Sequence, residues 1–416
     1  MINKLRAYEP GRDRDKDLRL ILTAFLLFAL HGVVCQLLIG WYNNSYYVST
    51  LLAFSYLKNG FIRRGLEGTL YDLVCRLIPS AFSWKGAFWF AWAMNAVYFA
   101  SLLAFVRWIL GKLREKEVRR GAFFFVLICL AFLVPTACFY QGALGRADLL
   151  QMVLCLLQIR LLVERKHEWL TVPLCAVNVL LHEGYLLMTF CAVLIVLLYR
   201  ALCSREQRGK YLLLTALQLA VVAVLTPLSL RGGSAAHSPE GYEAVRETAA
   251  LLNVSGGVQW DLLEMMYGWC PEGAPVIDEP AIVAQELQEL PIFLVCFLPA
   301  FFVFGKGLAG LFRQAGGKRR AAHAAAVLLG PMLIGVEYLT HCDFGRYLFW
   351  LIFYYFTTFL SLAAMDDDGA KGALREAYGY SNTGGLLVVA LMMIYQPLPI
   401  CGFTFISRQL LHVFYP

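Results

Sequence analysis

From Gly121 to Gly145 the chain reads GAFFFVLICLAFLVPTACFYQGALG, without one charged side chain. Apolar runs of this kind recur along the sequence. Several reach or exceed the roughly 18 to 20 residues that cross about 30 Å of hydrocarbon. No water reaches the backbone there, so each run must bond its own N–H and C=O groups, and a helix is the form that does so. This feature decides the class: an all-α, polytopic integral membrane helix bundle. Composition agrees, since 59% of the 416 residues are hydrophobic and only 16% charged, where a soluble chain carries about a quarter.

The apolar runs predict about eleven membrane segments, at 19–40, 86–110, 122–140, 147–163, 169–181, 185–200, 211–230, 291–312, 322–340, 347–365 and 385–399. They form one transmembrane domain over 1–416. The first twenty residues are highly charged and the run after them is too long for a cleavable signal, so it reads as the first span and anchor. With the N-terminus in the cytoplasm and the C-terminus outside, 24 Lys and Arg fall on the cytoplasmic side and 10 on the outer side. That bias fixes the expected orientation, because basic residues are retained inside. The net charge of +7 therefore concerns the membrane, and no nucleic-acid partner is expected. Twelve cysteines are scattered with no CxxC or Cys/His spacing, so they read as small buried hydrophobes; neither metal nor cofactor is expected.

Residues 170–200 constrain the path further. As one helix these 31 residues would rise about 46 Å, too long for one crossing. One crossing would also put Arg205, Arg208, Lys210 and Lys318–Arg320 outside, against the charge bias. A hairpin with His182-Glu183-Gly184 at its tip resolves both conflicts. Its first arm reaches only about 20 Å, so the tip should end short of the outer surface. Polar backbone at that depth is tolerated where it lines protein or a wet cavity. A depression open to the outer face is expected, with His182 and Glu183 on its wall. Residues 41–85, with amphipathic stretches Thr50–Leu57 and Leu70–Ile78, should lie in the interface. Residues 231–290, with short helices at Glu240–Leu252 and Gln259–Tyr267, should form an outer cap.

This path brings unusual charges to one side: Arg63 and Arg64, Arg146 and Asp148, His182 and Glu183, then Glu337, His341, Asp343 and Arg346. Each has an ordinary reading. Arg63–Arg64 could anchor on headgroups, Arg146–Asp148 could be a helix-terminus pair, and His182–Glu183 a satisfied turn. Asp343–Arg346 and Glu337–His341 have the spacing of local helical pairs. The lone polar residues His31, Gln36 and Asn178 read as interhelical hydrogen bonds. Independent anchors, however, have no reason to prefer one leaflet so consistently, and ionisable groups at such depth usually face a protein interior or aqueous cavity. Guanidinium forks match phosphate oxygens in two-point geometry, and a carboxylate can take the proton of an attacking hydroxyl. Arg63, Arg64, Arg146 and Arg346 are thus the expected phosphate binders. For the base, Glu183 and Asp343 lead, with Asp148, Glu337 and a His182–carboxylate pair behind. No Gly-rich nucleotide loop occurs, which agrees with a lipid-carried donor.

The segments NGFIRRG, GRAD, HEG and DFGRY on an outer face, together with about eleven spans, resemble bacterial envelope-polysaccharide membrane proteins. Those are the GT-C superfamily of glycosyltransferases and the O-antigen-polymerase class. The resemblance implies a polyprenyl-phosphate- or pyrophosphate-linked sugar donor, a glycan or lipid acceptor, surrounding membrane lipids, and a bacterial plasma membrane location. Where GT-C enzymes usually carry an acidic pair in the first outer loop, this loop has Arg63–Arg64 with only Glu67 and Asp72 nearby. Arginine-rich outer loops look more like metal-independent polymerases and ligases. The expected function is accordingly transfer or polymerisation of a lipid-linked sugar in envelope polysaccharide synthesis. The alternatives are a transporter or flippase of an anionic or lipid-linked substrate, a membrane acyltransferase using His182 or His341, and a scaffold.

Overall fold

The computed structural model describes residues 8–38, 46–138, 145–231, 238–258, 262–263, 298–313, 317–340 and 344–394, and among these the regular structure is all helical, without a strand. The chain is a helical, integral, multi-pass membrane protein. Its helices are α1 (Arg14–Leu38), α2 (Tyr46–Ala53), α3 (Tyr56–Asn59), α4 (Gly65–Leu77), α5 (Trp84–Lys112) and α6 (Lys116–Cys138). There follow α7 (Ala147–Glu164), α8 (Thr171–Leu181), α9 (Tyr185–Met188), α10 (Phe190–Cys203), α11 (Arg208–Arg231) and α12 (Pro239–Leu251). The remainder are α13 (298–313), α14 (Gly317–Thr340), α15 (Phe344–Ala364), α16 (Asp368–Tyr378) and α17 (Asn382–Ile394). Each of the eleven expected segments contains a helix. By length and composition, five among the described residues can cross a membrane: Arg14–Val34, Trp84–Lys112, Lys116–Cys138, Arg208–Arg231 and Gly345–Ala364.

Their burial follows their sequences. The apolar window of α6, with Phe123, Phe124 and Phe125 in succession, is apolar all round and lies wholly inside the protein. A helix with no polar face belongs at the centre, and α1, α15, α16 and α17 pack around it. In α1 and α11 only 28% of the window is inside; Leu26, Leu27 and Leu30 stay exposed, as acyl-chain contact permits. The approach of α16 to α6 depends on Gly121, where a Cβ would overlap the Leu374 carbonyl. Gly121→Ala is expected to cost about 1 to 3 kcal/mol through forced displacement of α16, measurable as a lower melting temperature in detergent.

The chain does reverse at His182–Gly184. At the end of the return arm, Arg200 Nη2 donates to the Val163 carbonyl at 2.8 Å, just before the outgoing arm begins. At the start of that arm Glu168 accepts from Tyr211 Oη at 2.7 Å and pairs with Lys210. Both arm ends therefore lie at one level beside the start of α11. The first arm, α8, has 11 residues and rises about 16 Å. The first segment expected outside holds helices α2 to α4, and Arg63–Arg64 fall in the turn before α4. In the second, α12 occupies nearly the range expected, capped by Ser238 Oγ on Gly241 N at 3.0 Å, and packs on α2. The helix expected at Gln259–Tyr267 lies, apart from Leu262 and Leu263, outside the described residues, as do His341, Asp343 and residues 264–290.

Candidate functional site

The turn Ile62–Arg64 places two guanidinium groups over the hairpin tip. Arg64 sits just before α4 with φ +55°, a left-handed conformation that costs a non-glycine residue on the order of 1 kcal/mol. Its side chain accounts for the strain. Arg64 Nε lies 3.1 Å and 3.0 Å from the two Glu183 carboxylate oxygens, and Nη2 donates to Oε1 at 2.6 Å. Arg63 Nε donates to the same Oε1 at 2.7 Å and its Nη2 pairs there as well. Tyr56 Oη reaches the Leu180 carbonyl at 3.3 Å, so the loop and the end of α8 are tied together twice.

A second pair lies beside the first. Asp148, in the first turn of α7, accepts from Arg346 Nε and Nη2 at 2.8 Å each, a two-point fork. Arg146 Nε approaches Asp148 at 3.8 Å, and its guanidinium lies 4.1 Å over the Tyr47 ring. Tyr47 Oη also accepts from Arg64 Nη1 at 2.7 Å, so one tyrosine touches two arginines. His182 joins the two pairs: Nε2 is 3.2 Å from Arg346 Nη2, and Gly184 N–H donates to Nδ1 at 3.0 Å. Tyr47→Phe removes the acceptor for Arg64 but keeps the ring under Arg146. A loss of about 1 kcal/mol is expected, read as a small drop in melting temperature without loss of folding.

Four parts of the chain distant in sequence thus meet in one cluster: Arg63–Arg64, Arg146–Asp148, His182–Glu183 and Arg346. Glu337 lies in α14, with its side chain, like that of Gln36, outside the described residues. The expected open depression is not what the described residues form. Arg64, Asp148, His182, Glu183 and Arg346 are all buried, because the guanidinium groups close over Glu183; Arg63 and Arg146 form the partly exposed rim. Burial alone would raise the Glu183 pKa, but Arg64, then His182 and Arg63, hold it well below the usual carboxylate range. Glu183 is therefore a counter-ion gripping two arginines.

One acid in the cluster was legible only as a neighbour of the arginines. Glu67, on the first turn of α4, is fully buried and neither carboxylate oxygen has a hydrogen-bond partner. The Ala147 N–H at the start of α7 faces it without closing a well-formed bond. Burial raises its pKa well above 4.5; Asp148 adds to the rise, while Arg146 and Arg64 oppose it. Glu67 is thus the one described carboxyl here whose oxygens are not already committed to a guanidinium.

A polar ladder holds the helix break from beneath. Gln151 Nε2 donates to the Asn178 and His182 carbonyls at 2.9 Å each, a second bond on acceptors that the His182 and Tyr185 N–H groups already reach at 3.1 Å. Asn178 and Tyr185 both donate to Gln158 Oε1 at 3.0 Å. Gln158 continues to Thr171 O at 2.8 Å, where Gln218 reaches Thr171 Oγ1 at 3.0 Å. Asn178 is therefore the interhelical hydrogen bond its position implied. No group of three or more His, Cys, Asp and Glu among the described residues could hold a metal.

A family model described as "Uncharacterised membrane protein Rv1490" matches residues 20–238, just over half of the chain and every cluster residue except Arg346. No curated protein matches the chain, and no solved structure does.

Proposed function

We propose that this chain, which belongs to the family of uncharacterised membrane proteins described as Rv1490, is a membrane glycosyltransferase or glycan polymerase. Its donor is a sugar on a polyprenyl phosphate or pyrophosphate, bound at an outward-facing site. The observation that carries this reading is the convergence of four guanidinium groups on one buried cluster, where Glu183 and Asp148 occupy the positions of oxyanions. A phosphate offers the same two-point geometry and can displace Glu183 from Arg63 and Arg64. The acceptor, a glycan or lipid hydroxyl, attacks the anomeric carbon as the bond from that carbon to the phosphate oxygen breaks. The bond electrons leave with the phosphate, whose charge the arginines neutralise. The hydroxyl proton passes to a carboxylate, for which Glu67 is the best placed of the described acids. The setting is an eleven-segment bundle of the GT-C or polymerase type in a bacterial plasma membrane, serving envelope polysaccharide synthesis.

The test is incubation of purified protein with polyprenyl-pyrophosphate-linked sugars, with release of the carrier pyrophosphate as readout. Arg64→Ala should lose at least about 100-fold in rate, the scale for removing one oxyanion donor. A wild-type protein that releases no carrier from any such donor sinks the reading. One observation favours a second one, transport or flipping of an anionic lipid-linked substrate: the polar ladder runs from His182 towards Glu168 across much of the bundle. Movement of a fluorescent carrier lipid between leaflets without bond cleavage would favour that alternative.

A further inference from the structure

At the end of the bundle opposite the arginine cluster, α1, α5 and α7 enclose a groove of about 670 Å³. The helix α7 spans the distance: Asp148 lies in its first turn and Arg160 near its last, about 18 Å apart along the axis. Into the groove project Arg14, Arg107, Lys112, Arg114 and Arg160, against one acid, Glu164. That acid is already engaged, accepting from Trp108 Nε1 at 2.6 Å and facing Arg160 at 3.6 Å. Arg107, Lys112 and Arg114 make no hydrogen bond or ion pair among the described residues, and Arg14 reaches only Asp15 at 3.9 Å.

A structural explanation covers part of this charge. Cations at the C-terminal ends of α5 and α7 complement the helix dipole. Arg14 is different, because it opens α1, where the dipole disfavours a cation. Gly111 adds room, having no side chain between Lys112 and Arg14. Beside the groove, Leu18, Leu22 and Leu26 follow Arg14 at four-residue spacing along α1, with Leu18 packed on the core. Leu22 and Leu26 are 46% and 61% exposed. A basic pocket with an adjoining apolar stripe has the shape of a phospholipid, its headgroup among the arginines and its chains along α1. Basic pockets between transmembrane helices on the side rich in Lys and Arg take anionic headgroups.

We infer that the groove formed by Arg14, Arg107, Lys112, Arg114 and Arg160 is a binding site for the phosphate headgroup of an anionic phospholipid, separate from the arginine cluster at the other end. Reconstitution of the full chain in phosphatidylcholine nanodiscs with a minor share of phosphatidylglycerol tests this, with retained phosphatidylglycerol counted by native mass spectrometry. Below saturation, Arg107→Gln with Arg114→Gln should lower retention by about fivefold for each charge removed. Glu164→Gln keeps an acceptor for Trp108 and removes the competing charge, so it should raise retention; it also keeps the test informative if the double variant misfolds. Inorganic phosphate should fail to displace the lipid, because it lacks the chains that the α1 stripe holds. Wild-type retention in the double variant, or unchanged or lower retention in Glu164→Gln, overturns the site. Displacement by phosphate overturns the lipid assignment.

Discussion

Glu183→Gln should destabilise the protein by about 3 to 5 kcal/mol, the scale for removing one partner of a buried ion pair. It leaves Arg63 and Arg64 facing each other at the hairpin tip with no described anion between them, and Arg64 is 7% exposed. Arg64→Ala should cost a similar amount from the other direction, since Glu183 then keeps only Arg63. The double variant Arg64→Ala/Glu183→Gln should therefore be less damaged than the two losses summed, with a coupling of about 1 to 3 kcal/mol. Inorganic pyrophosphate should raise the melting temperature of Glu183→Gln more than that of wild type, because the vacated guanidinium forks accept it without displacing a carboxylate. Strict additivity in the double variant would show that the pair does not hold the tip. Equal pyrophosphate shifts in the two proteins would show that Glu183 does not stand where a phosphate binds.

How much of this was legible depended on whether a residue's role is set by chain length and charge or by packing. The reversal at His182 followed from a 31-residue stretch that is too long for one crossing, and the hydrogen bonds at both arm ends agree with it. The meeting of Arg63–Arg64, Arg146, His182–Glu183 and Arg346 followed from their shared side. The long-range pairing did not. Arg146 stands beside Asp148 as its spacing implied, and Asp343, the local partner expected for Arg346, lies outside the described residues; the fork of Arg346 onto Asp148, 198 residues away in sequence, had no local sign. That choice depends on where the start of α15 packs against the start of α7, which no local spacing encodes. Nothing in the sequence marks Tyr47 as the residue that two arginines use. Glu67 stands out in the sequence only as an acid near Arg63–Arg64, and in the fold it takes an ordinary first-turn position on α4. Only the close seating of the α4 start against the α7 start turns it into a buried carboxyl without a partner. Gly68 permits that seating at its other side, since a Cβ there would overlap the Phe54 carbonyl.

Glu67→Gln should make the protein more stable at neutral pH while removing its activity. The folded-state pKa of Glu67 is raised above its ordinary value of 4.5, by burial first and then by Asp148. Between 4.5 and that raised value, the folded protein binds a proton that the unfolded chain has released. Its contribution is fully present below pH 4.5 and is lost as pH rises through the folded pKa, at about 1.4 kcal/mol per pH unit. The charge-free amide has no such loss, so the variant's melting temperature should fall less steeply than wild type above pH 4.5. Activity should run the opposite way. A base works in its ionised form, so carrier release should climb with pH through the same interval in which wild-type stability declines. The rate should level off at the folded pKa, where the stability loss also ends, because both report one carboxyl. A variant that keeps the wild-type pH–rate curve moves the base elsewhere, with Asp343 the next to substitute. A variant that flattens the rate curve but leaves the stability curve unchanged would separate the buried acid from the base, and the site would then need a second titrating group.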